Sequence, residues 1–362
     1  MKHTEMPAKH LTADCIWNSF RSSGKRHLFL TGDRGSGKTT LLKALFPELL
    51  PGLTTWAEPR KAVYLRNNLT GEIAQVGVFD EALPGTENRM TPREEGFTSL
   101  GIPTLKSCME SDGDWITIDE IGYLEAQCEA YHDGLRSLLE QKQVAAVIRK
   151  QELPFLQELR RREDAFVVDL DNPYGSIGCV IMASGLGKRF GGNKLMADFR
   201  GEPMICRILD ATEGLFSHRV VVTRHEDVAK LCEARGIQTV LHNLPHRSDT
   251  VRLGLEAMGN VECCLFTPAD QPLLQKETVA ALVIASKNEP NAIWRTAHEE
   301  RLGSPVIFPK WTFPELKTLP QGKGGGVVIK KYPERLRVVN VRDMYELKDV
   351  DSPKDLSELL ER

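Results

Sequence analysis

The stretch Gly32-Asp33-Arg34-Gly35-Ser36-Gly37-Lys38-Thr39 constrains this chain more than any other part of it. It fits G-x-x-x-x-G-K-[ST] and stands between an apolar, strand-like run at residues 27–31 and a segment of helical spacing from residue 38 to about 46. A strand that turns through such a loop into a helix points backbone N–H groups inward around a phosphate and adds the helix's positive end. Lys38 is then the residue that reaches the β- and γ-oxygens of a nucleoside triphosphate, ATP or GTP, and Thr39 offers its hydroxyl to Mg²⁺. Gly32, Gly35, Gly37 and Thr40 complete the cradle. A chance glycine-rich turn is the bland alternative, and the strand-to-helix placement argues against it.

Such a loop needs an acid at the end of a neighbouring strand, and Trp115-Ile116-Thr117-Ile118-Asp119-Glu120 supplies it. Asp119 is expected in the Mg²⁺ shell. Glu120 is expected to polarise an attacking water, which makes hydrolysis more natural than transfer to an acceptor; a surface carboxylate after a strand is the alternative. With these residues, residues 25–170 resemble the small P-loop nucleoside-triphosphatases of archaea, bacteria and animals, which pair the loop with D-E-I-G-x-x-E, here Asp119 to Glu125. Tyr123 and Leu124 replace that family's usual proline and methionine. Its Thr-x-Glu-x-Arg region appears only as Thr55-Trp56-Ala57-Glu58-Pro59-Arg60. The resemblance implies a phosphate or transition-state contact for Arg60, set against an exposed loop arginine.

A length of 362 residues is too great for one ordinary core and suits two domains. A leading helix is expected at residues 8–22, then strands at 27–31, 115–118, 144–148 and 165–170, with helices at 130–142 and 152–163; residues 52–104 are less regular. The series breaks at Asp171-Asn172-Pro173-Tyr174-Gly175, so the linker is placed at 171–176, between domains of residues 1–172 and 177–362. A second alternating series follows, with strands at 178–182, 220–223, 238–241, 261–266 and 305–308 and helices at 204–214, 226–235, 249–258 and 276–286. Both halves read as α/β with mostly parallel sheets.

The strand at 178–182 runs into Ala183-Ser184-Gly185-Leu186-Gly187-Lys188-Arg189-Phe190-Gly191-Gly192-Asn193-Lys194. No Gly-Lys-[ST] opens a helix here, so this is not a second loop of the first kind. Ala183, Gly185 and Gly187 let the backbone pass close to a base and triphosphate, and Arg189 and Lys194 bring two cations toward the phosphates. Asp270, in Thr267-Pro268-Ala269-Asp270-Gln271-Pro272, is a lone carboxylate at a strand's C-terminal end, where open α/β sheets bind ligands and where Mg²⁺ would bridge α-phosphate and leaving pyrophosphate. Asp349 and Asp351 add metal-binding candidates before a terminal helix; Asp355 reads equally as the partner of an N-cap at Ser352.

Taken in order, 182–194, Asp270 to Pro272, Gly303-Ser304-Pro305-Val306 and 349–355 resemble the MobA-like nucleotidyltransferases, in particular the molybdenum cofactor cytidylyltransferases, over about residues 177–362. The likeness implies a Rossmann-like fold and transfer of a nucleotidyl group, CMP from CTP, to a pterin phosphate, with a molybdoenzyme or its chaperone as partner. Ser184 replaces the usual alanine. The family's Gly-Asp-x-Gly-x-Arg segment gives way to Gly322-Lys323-Gly324-Gly325-Gly326, which opens the choice of acceptor. Two other readings stay open: a nucleotide-driven switch or chaperone with a non-catalytic C-terminal module, and a sugar-phosphate nucleotidyltransferase.

A formal net charge of -3 supplies no basic surface for nucleic acid. The eight cysteines lack CxxC spacing and read as reduced, buried thiols; no apolar run approaches membrane-spanning length, so the expected compartment is the cytoplasm.

Overall fold

The computed structural model describes residues 11–83 and 89–362. It forms two compact units: Gly24–Pro173 in the first, and residues 11–23 together with Tyr174–Arg362 in the second.

In the first unit the strand His27–Thr31 is buried along its whole length. It lies parallel between Gln143–Ile148 and Ala165–Asp169, with Leu28 opposite both Ala145 and Phe166. Strands covered on both faces read as continuous apolar runs, which is why these were visible in the sequence. Trp115–Ile121 and Gly52–Glu58 extend the parallel block. The region expected to be irregular instead adds an antiparallel arm, Ala62–Asn67, Ile73–Phe79 and Met90–Pro92. Val63, Leu65 and Val76 carry this arm's part of the core, and the apolar signal is diluted by the exposed residues between them. The helix Glu129–Gln141 buries Tyr131, Leu135, Leu138 and Leu139, a three-to-four residue spacing, in the core cluster that also holds Leu53, Ile116 and Val144.

The second unit orders its large sheet as Gln238–Leu241, His218–Thr223, Ile177–Ala183, Cys263–Pro268, Arg301–Pro309, Ile293–His298 and Leu336–Asn340. The first four strands are parallel. Arg301–Pro309 then runs antiparallel to both its neighbours. Ile293–His298 and Leu336–Asn340 were not foreseen; each mixes polar and apolar residues too evenly to stand out.

The leading helix requires a correction. It spans Ala13–Ser23, the first residues of its expected range lying outside the described ones, and it packs in the second unit and not in the first. The cause is the helix Lys276–Asn288, in which every residue from Thr278 to Ser286 is buried. A helix apolar all round must be covered on both sides. Cys15, Ile16, Ser19 and Phe20 supply the cover, and the Ser19 hydroxyl lies 2.9 Å from the Ala281 carbonyl. The N-terminal boundary expected at residue 1 therefore does not hold for residues 11–23.

Candidate active sites

At the first site Gly37 adopts the left-handed conformation, φ 90°, as the cap of the helix Lys38–Leu45, which a side chain there would strain. Lys38 Nζ donates to the carbonyls of Gly32 at 2.8 Å and Asp33 at 2.6 Å, so its ammonium curls over its own loop, and burial lowers its pKa. Thr39 Oγ1 donates to Asp119 Oδ1 at 3.0 Å. Burial raises the Asp119 pKa, opposed by that hydrogen bond. A hydroxyl and a carboxylate held side by side beside a glycine-rich loop fit Mg²⁺, which takes few protein oxygens and can complete its shell from phosphates and water.

The strand Trp115–Ile121 is irregular between Ile118 and Ile121, and Glu120 there has φ 90°, a conformation unfavourable for a side chain with a Cβ. Its carboxylate is gripped by Arg149, with Nη2 and Nε each 2.5 Å from Oε1. A cleft of about 920 Å³ is lined by the loop, Thr40, Arg60, Glu120 and Arg149. Arg60 sits at a turn with φ 55°. Glu125, fully buried, accepts from Gly122 N at 2.6 Å, and desolvation pushes its pKa up to about 7.

Three residues here were missed from the sequence. Arg149 and Lys150 follow the strand Gln143–Ile148, and Asp171 follows Ala165–Asp169. Asp171 Oδ2 accepts from Asp33 N at 2.7 Å and from Lys150 Nζ at 2.5 Å, tying the glycine-rich loop to the neighbouring strand end. The signal was available: residues just beyond the C-terminal ends of parallel strands face the ligand crevice.

At the second site Gly187 has φ 58°, and a Cβ there would lie 2.2 Å from the Gly192 carbonyl, so the loop closes on itself only with glycine. Gly185, Gly187, Arg189, Lys194, Asp270, Asp349 and Asp351 all line one cleft of about 670 Å³. Ala183 does not line it; it is buried in the strand, where its carbonyl accepts from Thr223 Oγ1 at 3.1 Å.

The electrostatics differ from expectation. Asp270 is not a lone carboxylate, since Lys194 Nζ lies 2.6 Å from its Oδ2, 2.6 Å from the Val350 carbonyl and 3.3 Å from Asp351 Oδ1. Lys194 is buried, and a buried ammonium requires a counter-charge. Arg189 Nη2, on an exposed side chain, meets Asp351 Oδ2 at 2.8 Å.

Among the described residues no group of three or more acidic, histidine or cysteine side chains is placed to hold a metal ion. Asp270 Oδ1, however, is buried with no hydrogen-bond partner there. Asp349 Oδ1 accepts from Gln271 at 2.9 Å, and burial, then the charges of Asp270 and Asp351, raise its pKa. An open carboxylate oxygen among repelling acids fits a divalent cation that draws its remaining ligands from nucleotide phosphates. Asp355 closes a capping box with the N-cap Ser352: its Oδ2 accepts from Ser352 N at 2.8 Å, while Ser352 Oγ accepts from Asp355 N at 3.3 Å. Also unforeseen, Ser184 Oγ lies 2.8 Å from His242 Nε2, and Leu244 N donates to His242 Nδ1 at 3.2 Å; the Nε2 proton therefore points to Ser184, whose own hydroxyl can donate to the Val222 carbonyl.

All eight cysteines are free and buried. No helix among the described residues is long and apolar enough to cross a membrane.

Residues 61–173 match the model of an NTPase family, and residues 179–336 match that of the MobA-like NTP transferase domain. The chain is 32% identical over 114 residues to the 3-deoxy-manno-octulosonate cytidylyltransferase of Neisseria meningitidis serogroup A, a match covering 29% of this chain and 44% of that protein. It thus spans less than half the length of this curated relative. Among solved structures it is similar to Rv0371c from Mycobacterium tuberculosis, at 21% identity and TM-score 0.46 over 52% of this chain and 99% of that one. It is also similar to THEP1 from Aquifex aeolicus, at 25% identity and TM-score 0.35 over 40% of this chain and 89% of that one.

Proposed function

On the premise that this chain joins an NTPase-family segment to a MobA-like NTP transferase domain, we propose that the C-terminal unit transfers CMP from CTP to a phosphorylated small-molecule acceptor, and that the N-terminal unit hydrolyses ATP or GTP. The observation that carries the first half is the buried Lys194–Asp270 pair with Asp270 Oδ1 left open, directly beyond a parallel strand and beside the loop of Gly185 and Gly187. The pterin phosphate of the molybdenum cofactor is the leading acceptor.

An ionised acceptor oxygen attacks the α-phosphorus in line, and the bond to the leaving pyrophosphate breaks. No strong base is required. Mg²⁺, held by Asp270 with help from Asp349 or Asp351, supplies neutralisation of the phosphate charge. Arg189, held only by an exposed ion pair, is free to turn toward the phosphates, while Lys194 fixes the Asp270 carboxylate and adds a positive charge beside it. At the first site the backbone of Gly32, Gly35 and Gly37 with Thr40 cradles the phosphates, Lys38 leaves its carbonyls for the β- and γ-oxygens, and Thr39 with Asp119 holds Mg²⁺. Glu120 orients water, and Arg60 and Arg149 line the same cleft as cations for the transition state.

A second reading gains support from the cytidylyltransferase likeness: CMP transfer to a sugar acid. Incubating the protein with CTP or GTP and a panel of pterin phosphates, sugar phosphates and sugar acids, followed by product mass, tests both. Folded protein releasing no pyrophosphate with any acceptor would favour a binding module driven by the N-terminal unit. The buried thiols suit a reducing, cytoplasmic setting, with delivery to a molybdoenzyme or its chaperone following from the leading acceptor.

A further inference from the structure

A separate cavity of about 480 Å³ adjoins the nucleotide cleft of the C-terminal unit and shares Met182, Arg247 and Ser304 with it. Val251, Phe266, Val306, Phe308 and Leu316 give it an apolar lining. Four cations, Arg247, Arg295, Lys323 and Lys330, also line it, and no Asp or Glu does. None of the four forms an ion pair among the described residues.

Two details show that the space is built. A Cβ on Gly325 would lie 2.5 Å from Phe308 Cζ, so glycine lets the loop lie against this ring where a side chain would collide, and Gly324 brings the backbone close to Arg247. Arg295 donates through Nε at 3.0 Å and Nη2 at 2.5 Å to one acceptor, the Gly303 carbonyl, which leaves guanidinium N–H groups uncommitted. Burial alone lowers its pKa, with no carboxylate acting against it. A desolvated guanidinium without counter-charge is expensive, and a ligand anion would relieve that cost.

We propose that this cavity binds the acceptor, and that the acceptor carries on an apolar body an anionic group remote from the oxygen that receives the nucleotidyl group. The proposal rests on the transferase reading above and deepens it. The reacting oxygen lies at the junction marked by Met182, Arg247 and Ser304, and the remote anion lies against Arg295, Lys323 and Lys330. That anion is a phosphate or a carboxylate, which share this chemistry. The reaction is balanced without any further reagent: the junction oxygen forms its bond to the α-phosphorus, and pyrophosphate departs with the electron pair of the broken bond.

The test is calorimetric binding to the full chain of phenyl phosphate, benzene-1,3-dicarboxylate and the neutral benzene-1,3-dicarboxamide, with CTP binding measured alongside. At least one anionic probe should bind about tenfold more tightly than the amide, and which one binds identifies the anion. Arg295→Gln should weaken that binding about tenfold with CTP affinity unchanged. Because Arg295 is half-buried, the double substitution of exposed Lys323→Ala and Lys330→Ala serves as a second variant with the same expectation. Equal binding of amide and anions, or anion binding untouched in both variants, overturns the proposal. Failure of the transferase reading looks different: no pyrophosphate release with any acceptor while the anionic probe still binds and still responds to both variants. Conversely, efficient transfer to an acceptor that lacks a remote anion would leave the transferase standing and remove this inference.

Discussion

Lys38 and Lys194 each follow a glycine-rich loop beyond a parallel strand, yet the protein handles their charges in opposite ways. Lys38 rests on two backbone carbonyls of its own loop, whereas Lys194 is buried between Asp270 and Asp351. Carbonyl dipoles hold an ammonium weakly enough for phosphates to draw it away. A buried carboxylate partner makes the lysine part of the architecture as well as of the site. The same residue type after a glycine-rich loop is therefore held by carbonyl dipoles in one unit and by carboxylates in the other.

That contrast is sharpest in stability. Lys194→Ala leaves Asp270 half-desolvated without its partner, and loss of one member of a buried ion pair costs about 3 to 5 kcal/mol. Lys38→Ala removes no ion pair and should lie within about 1 kcal/mol of wild type. Denaturant unfolding of both variants checks this, and equal losses would break the comparison.

Glu125 extends the contrast to acids. Asp270 has a buried lysine; Glu125 is fully buried and accepts backbone N–H groups only, with a pKa of about 7 against 4.5 when unfolded. A raised carboxyl pKa means that its stabilising contribution is complete below about 4.5 and is lost as pH rises through about 7. Glu125→Gln keeps the oxygen that accepts from Gly122 and removes the charge, so it should cancel a pH-dependent loss of about 3 kcal/mol between those limits. Melting temperatures of wild type and variant that fall in parallel from pH 5 to pH 8 would show that Glu125 is not the group responsible.

Activity gives the next separation. Asp270→Asn should lower pyrophosphate release on the order of a hundredfold and leave N-terminal hydrolysis within a few-fold, because Asn keeps the shape and loses the charge. Lys38→Ala should do the reverse. Loss of both activities from Asp270→Asn in a folded protein would mean that the two sites do not act separately. Glu120→Gln should retain nucleotide binding and lose turnover; if both fell together, the Arg149 pair would be holding the strained Glu120 backbone for binding and not for water.

The loops and parallel core strands were legible because each was coded locally: Gly37 and Gly187 by conformations that favour glycine, and His27–Thr31 by burial on both faces. Arg149, Lys150, His242 and Arg295 were not, since each gains its role only when strands distant in sequence become neighbours. The leading helix misled for the same reason. Its amphipathic pattern records that it covers something, and nothing in residues 13–23 says that the partner is a helix more than 250 residues away. Lys194 was placed in the site by its motif, but its pairing with Asp270 spans 76 residues and needed the sheet to be assembled.

The smallest expected effect tests how the acidic segment beside Lys194 is held in place. Ser352 caps the helix Pro353–Leu360, and the Asp355 carboxylate accepts hydrogen bonds from the backbone N–H groups of Ser352 and Asp351. The cap thus adds one hydrogen bond to the backbone that carries Asp351, which faces both Lys194 and Arg189. Ser352→Ala removes one hydroxyl acceptor at a helix N-terminus, for which the usual cost is about 1 kcal/mol. Because Lys194 still grips Asp270 and the Val350 carbonyl, the segment keeps two anchors, and CTP affinity should stay within about twofold of wild type. Ser352→Thr, which keeps the acceptor, should recover most of the lost stability. If Ser352→Ala instead weakened CTP about tenfold with only that small change in stability, the cap and not Lys194 would position the acids, and the structural role assigned to this lysine would be reduced to its contact with Asp270.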